Sequence, residues 1–291
     1  MRRDFKMPCL HRVHKRKGAK NPHMCGFFAP FLLWYYCRMK KLIIGNWKMY
    51  PVELKEARER FTQIKKTASV LRNVQTVICP PLVYAGDLKK MVAGHRVTLG
   101  AQNAWLEQEG AYTGEVSPSQ IRSVGLTHVI IGHSERRVLG ETDEMINKKI
   151  LAGIKAGLVV VLCVGERERD KDGEYLRYVA SQIKLALKNV QKKELSNMVI
   201  AYEPIWAIGK NALRAASSED ALEIAILIKK TLADMYNRDG SHVPILYGGS
   251  VNEKNTKDFL TASRIDGLLV GRASLDPFVF GEILRGAEKV K

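Results

Sequence analysis

From residue 41 to the end, short apolar runs alternate with stretches whose apolar residues recur every third or fourth position. The runs are 42–44, 74–79, 97–99, 129–131, 159–164, 198–202, 244–247 and 267–270. They are too short for helices and apolar at consecutive positions, as strands covered on both faces require. Between them lie 53–71, 142–156, 174–190, 217–236, 253–261 and 277–290. In the fourth of these, Ala221, Ile224, Ala225, Ile228, Leu232 and Met235 mark one face of a helix. Ser217-Ser218-Glu219-Asp220 gives that helix an N-cap and an acidic first turn. Eight strand–helix units in about 250 residues predict an α/β fold, a (β/α)8 barrel in one domain over 39–291. A doubly wound open sheet is the competing arrangement, but no Gly-x-Gly-x-x-Gly follows an early strand.

Residues 1–38 follow neither rhythm. They hold nine Lys/Arg against one acidic residue, so +8 of the formal +17 of this 291-residue chain lies there. The apolar run 27–36 is shorter than a bilayer requires, is broken by Pro30, and ends in Trp34-Tyr35-Tyr36-Cys37-Arg38 without a small-residue cleavage site. The segment has no Ser, unlike a transit peptide. The spacings of Cys9, His11, His14, His23, Cys25 and Cys37 do not match a paired zinc pattern. The expectation is a disordered extension or upstream read-through, with Met39 as a start and no part in folding or activity. No membrane span is expected.

Of five cysteines, only Cys79 and Cys163 lie beyond residue 38, both within apolar runs. They read as small buried apolar side chains in a reducing, cytoplasmic setting rather than as a disulfide framework. The +9 left after residue 38 suits an anionic small molecule and also mere solubility.

Strand ends carry the chemistry in parallel barrels, because all eight C-terminal ends share one rim. Gly45-Asn46-Trp47-Lys48 follows the first run, Gln102 and Asn103 the third, and Gly132-His133-Ser134-Glu135 the fourth. Gly165-Glu166 follows the fifth and Glu203-Pro204 the sixth, then a loop through Gly209. Gly248-Gly249-Ser250 and Gly271-Arg272-Ala273-Ser274 close the set. A lone Lys48 reads as a solvated surface lysine, and a lone His133 as a satisfied structural histidine. Glu203 just past an apolar strand needs a partner or a task. Glycines after the seventh and eighth strands suit backbone amides that hold a phosphate.

Four blocks then carry a resemblance: Gly45-Asn46-Trp47-Lys48-Met49, Ile131-Gly132-His133-Ser134-Glu135-Arg136-Arg137, 201–209, and Tyr247-Gly248-Gly249-Ser250-Val251-Asn252. In order and spacing they resemble the signature blocks of the triosephosphate isomerase family over residues 41 to about 287. Gly110-Ala111-Tyr112-Thr113-Gly114-Glu115 resembles that family's dimer-interface loop.

The resemblance implies interconversion of dihydroxyacetone phosphate and D-glyceraldehyde 3-phosphate through an enediolate, in glycolysis and gluconeogenesis. It implies Glu203 as general base, a neutral His133 polarising the carbonyl, and Lys48 with Asn46 facing the developing oxyanion. Glu135 would orient Lys48. Gly209, Ser250, Gly271 and the amide of Arg272 would hold the phosphate. Thr113 would reach a neighbouring subunit's site in a homodimer. Neither metal nor organic cofactor is implied, and the loop after Glu203 is expected to close over the substrate. Burial is expected to make Glu203 a stronger base, and a helix N-terminus near Ser134 to keep His133 neutral.

The chain departs from the family pattern twice. Gly209-Lys210-Asn211-Ala212-Leu213-Arg214 stands where Gly-Thr-Gly-Lys is usual, and Gly271-Arg272 where Gly-Gly is usual. Arg272 would be strained if its position demanded positive φ.

Two other readings compete with this one. A sugar-phosphate epimerase or indole-glycerol phosphate synthase would share the glycines but not the set Asn46, Lys48, His133 and Glu203. A nucleic-acid-binding protein would use the basic extension, yet no such motif accompanies it and no nucleic-acid partner is expected.

Overall fold

The first strand pairs with the last. Leu42 to Gly45 run beside Gly267 to Val270 in parallel register, which closes eight strands into a ring. The structure, a computed structural model, describes residues 40–208, 214–262 and 265–290. The extension 1–38 and residues Gly209, Lys210 and Asn211 fall outside them.

The strands are β1 (Lys41–Asn46), β2 (Val74–Cys79), β3 (Val97–Ala101), β4 (His128–Ile131), β5 (Val159–Val164), β6 (Met198–Tyr202), β7 (Ile245–Tyr247) and β8 (Gly267–Val270). Each hydrogen-bonds to the next, all in parallel. Side chains alternate between two apolar environments. Leu42, Ile44, Val77, Cys79, Ile130, Val161, Cys163, Ala201 and Leu246 form one buried cluster, which fills the barrel's interior. The intervening Ile43, Ile78, Val129, Ile131, Leu162 and Ile200 join the larger cluster under the helices.

The outer layer contains α1 (Leu54–Ala68), α2 (Leu82–Lys90), α3 (Pro118–Ser123), α4 (Ser134–Val138), α5 (Asp143–Lys155), α6 (Glu174–Ala186), α7 (Ser218–Tyr236), α8 (Thr256–Ala262) and α9 (Pro277–Glu288). The expected run 244–247 loses Pro244, which has no N–H to give a ladder. Helices α2 and α3 were not expected. Helix α2 is nine residues long, with only Ala85 and Leu88 buried, and α3 has six residues, so neither shows a sustained stripe. At α7 the expected cap is present. Ser217 Oγ accepts the Asp220 N–H at 3.2 Å and Asp220 Oδ2 accepts the Ser217 N–H at 2.8 Å. Among the described residues no helix is long and apolar enough to cross a membrane.

His128 opens β4, with Nδ1 2.7 Å from Thr127 Oγ1. Burial pushes its pKa down to about 4. Unfolding would return the ring to about 6.5, so the unfolded chain binds the extra proton between those values. Stability therefore falls as pH drops from about 6.5 towards 4 and is unaffected above. His128 as a residue is only half-buried, so we expect about 2 kcal/mol of this loss at pH 4.5. Thermal melts of wild type and His128→Gln at pH 7.5 and 4.5 check it; the wild type is to lose more on acidification.

Candidate active site at the barrel mouth

At the end of β1, Asn46 is buried and Trp47 fully so. The Trp47 indole N–H donates to the Ser274 carbonyl at 3.1 Å, tying this turn to the segment after β8. Lys48 then takes a left-handed backbone, φ 54°. For a lysine this costs about 1 kcal/mol. Two contacts hold it there: its N–H donates to Asn46 Oδ1 at 3.1 Å, and its carbonyl accepts from Gln102 Nε2 at 2.8 Å. Lys48 Nζ meets Glu135 Oε1 at 2.5 Å.

Gly132 leaves β4 at φ 74°, a conformation that a side chain would strain, and turns the chain into α4. His133 is the N-cap. Its Nδ1 accepts the Glu135 N–H at 3.2 Å. That bond assigns the ring proton of a neutral imidazole to Nε2, which lies 3.0 Å from Glu203 Oε1. The other oxygen of Glu203 accepts the Ser134 N–H at 2.9 Å. Glu203 follows β6 and is buried, its own N–H donating to the Val164 carbonyl at 2.8 Å. A side chain on Gly165 would run into the Glu203 carbonyl, so glycine there lets the two strand ends approach.

Burial alone would push Glu203 up, as expected from sequence. It is outweighed: the His133 ring, the Ser134 amide and the Lys48 charge hold the carboxyl below its ordinary value. Burial likewise works to lower His133, but the Glu203 carboxylate outweighs it and pulls the imidazole up. The Glu135 amide opposes double protonation, because a proton on Nδ1 would face that N–H. The two groups thus hold each other as carboxylate and N–H donor.

The seventh and eighth strand ends face the same place. A Cβ on Gly248 would lie 3.2 Å from Glu203 Cγ, and one on Gly271 3.6 Å from Lys48 Cε. Ser250 is exposed, and its hydroxyl donates to the Ala207 carbonyl at 3.2 Å. Arg272 is not among the positive-φ residues, so the strain considered for it does not arise. Arg272 lines a groove with Glu56, Glu59 and Asp276. Thr113 lies in an exposed turn between Gly110 and Gly114, both at positive φ. Asn46, Lys48, His133, Glu135, Glu203 and Gly271 therefore converge within one chain, whereas Thr113 projects outwards and Gly209 is outside the described residues.

Two participants escaped the sequence reading. The Ser134 amide grips Glu203; its place in the first turn of α4 was the available signal. Glu166 follows β5, and the sequence assigns it no role. It is buried and accepts the Tyr202 hydroxyl at 2.8 Å, the Trp206 indole at 2.7 Å and Arg169 Nε at 3.1 Å.

A closed parallel barrel with a carboxylate–imidazole pair at its C-terminal mouth defines an enzyme of the (β/α)8 class. The family model described as triosephosphate isomerase matches residues 41–287. The chain belongs to the triosephosphate isomerase family. It is 42% identical over 250 residues to the Dictyoglomus turgidum triosephosphate isomerase, covering 84% of this chain and 99% of that one. With the Fusobacterium nucleatum triosephosphate isomerase identity is 43% over 251 residues, covering 85% and 99%. The crystal structure of the Bartonella henselae triosephosphate isomerase superposes with TM-score 0.77 at 32% identity, covering 86% of this chain and all of that one.

Proposed function

We infer that the chain interconverts dihydroxyacetone phosphate and D-glyceraldehyde 3-phosphate by proton transfer through an enediolate, with Glu203 as the base. The observation that carries these roles is the meeting of Glu203, His133 and Lys48 at one mouth. The substrate carbonyl oxygen takes the Nε2–H of His133. That transfer removes the largest counterweight to Glu203's burial, so the carboxylate becomes a stronger base as the substrate becomes a stronger acid. Glu203 takes a proton from C1, the C–H pair becomes the C1–C2 double bond, and the carbonyl pair moves onto the C2 oxygen faced by His133 and Lys48. His133 Nε2 gives its proton to that oxygen and takes the hydroxyl proton from the C1 oxygen, and Glu203 then returns its proton to C2 as the C1 carbonyl forms. Asn46 and Lys48 hold the oxyanion side, and Glu135 orients the ammonium. Backbone amides at Gly271 and Arg272, with Gly209 and Ser250, hold the phosphate. The route uses proton transfer and electrostatics alone.

A homodimer is the proposed assembly. Met49, Val52, Tyr112, Val138 and Leu139 are exposed large apolar residues on the segments that flank Lys48, Thr113 and Glu135, a surface that favours a partner. Thr113 is assigned to the neighbouring subunit's mouth. The proposed setting is the cytoplasm, with Cys79 and Cys163 as free thiols; cell fractionation checks it.

The test is turnover of dihydroxyacetone phosphate by purified protein. A chain starting at Met39 is expected to match the full chain in turnover and to sediment as a dimer. Absence of turnover in the full chain would refute the reaction, and loss on truncation would give residues 1–38 a role.

A further inference from the structure

Trp206 lies three residues past Glu203, in the 3-10 turn Ile205–Ala207 that leaves β6. The turn is fastened to the end of β5: the Ile205 N–H donates to the Glu166 carbonyl at 3.0 Å and the Trp206 indole to Glu166 Oε1 at 2.7 Å. Two cations lie over the indole ring. The guanidinium carbon of Arg214 lies 4.5 Å from the ring centroid and that of Arg169 5.1 Å. Arg214 also forks onto one carboxylate, Nη1 to Asp220 Oδ2 at 2.6 Å and Nη2 to Asp220 Oδ1 at 2.9 Å. Asp220 belongs to the capping box of α7 and takes Arg169 Nη1 at 2.9 Å. The Arg214 hydrogen bond is the leading reason that its carboxyl is held at about 2. Arg214 thus joins the start of α7 to the turn that carries Glu203. A helix cap alone would need the carboxylate and not the indole.

We propose that Arg214 is a positioning residue for the proton transfer, fixing the Glu203 turn by lying on Trp206 while it chelates Asp220. The proposal rests on Glu203 being the base. Arg214 acts through Trp206, so it should govern how well the base is aimed and not how tightly the phosphate is held. Misplacing a reacting group by a fraction of an ångström slows chemistry while sparing binding. The planar fork and the stacking are both properties of arginine, so lysine should not replace it.

The experiment compares Arg214→Gln and Arg214→Lys with wild type in steady-state kinetics and tryptophan emission. Trp206→Phe backgrounds isolate the signal of that indole. We expect kcat to fall about fivefold in Arg214→Gln with KM changed less than about twofold. The emission should shift only where Trp206 is present, and Arg214→Lys should resemble Arg214→Gln. The Arg214 side chain is more than half exposed, so both variants should fold. Wild-type kcat in Arg214→Gln overturns the proposal. So does an equal change in kcat and KM, a lost kcat without the Trp206 emission shift, or full rescue by lysine. Glu203→Gln, assayed alongside, separates the two claims. If it keeps turnover, the base assignment falls and takes the proposal with it; if it abolishes turnover while Arg214→Gln is normal, only the role of Arg214 falls.

Discussion

Replacing Glu203 with glutamine is expected to lower kcat by about three to four orders of magnitude while KM changes by less than about threefold. Glutamine has the same length and one carbonyl oxygen, so it can keep either the His133 Nε2–H or the Ser134 amide as a donor. It cannot take a proton from carbon. The loss should therefore be chemical rather than structural. The pH profile carries the same sign. Glu203 sits below the ordinary carboxyl range in the free protein. The acid limb of kcat/KM for wild type should lie below about 4.3, the value of an unperturbed glutamate. Steady-state kinetics of both proteins between pH 4 and 8 check this, and near-normal turnover by Glu203→Gln would remove it as the base.

The second large effect is expected at Lys48. Lys48→Met should raise KM and lower kcat together, with kcat/KM falling by about three orders of magnitude or more. Methionine preserves the length and removes the charge proposed to face the oxyanion and, through its place beside Gly271, the phosphate. Fold stability should barely change. The Lys48–Glu135 pair is partly exposed, 31% and 57% for the two side chains, and such pairs contribute about 1 kcal/mol or less. The left-handed backbone is held by Asn46 and Gln102 and would persist. Michaelis parameters and a thermal melt on the same sample check both halves. Unchanged kinetics would refute the role, and a large loss of melting temperature would make the ammonium structural.

The strands were legible because a barrel covered by helices demands apolar side chains on both faces. Runs such as 159–164 therefore stand out against helical rhythm. The short α2 and α3 were not, since few of their residues are buried. At the mouth, Asn46, Lys48, His133, Glu203 and Gly271 could be named together from sequence order, because every strand end reaches one rim. It could not show that His133 and Glu203 bond directly, since they lie 70 positions apart. That contact reverses the expected direction for Glu203, because a partner within hydrogen-bonding distance outweighs burial. The groove that Arg272 shares with Glu56 and Glu59 was equally hidden, because only the fold brings the turn after β8 to α1. Arg214 was visible only as part of a departure from the family pattern; its meaning needs Trp206 and Asp220, which only the fold brings to it.

The seam between β1 and β8 has a consequence for synthesis of the protein. Asn46 and Lys48 leave the ribosome early, but Gly271, which flanks Lys48, follows more than 220 residues later. A nascent chain halted after β7 has two bare ladder edges and half of a phosphate cradle. Such an intermediate is prone to pair with other chains, a hazard that ends only when the final strand arrives. The mouth is thus assembled in one step when the last strand docks on the first, and not built up module by module.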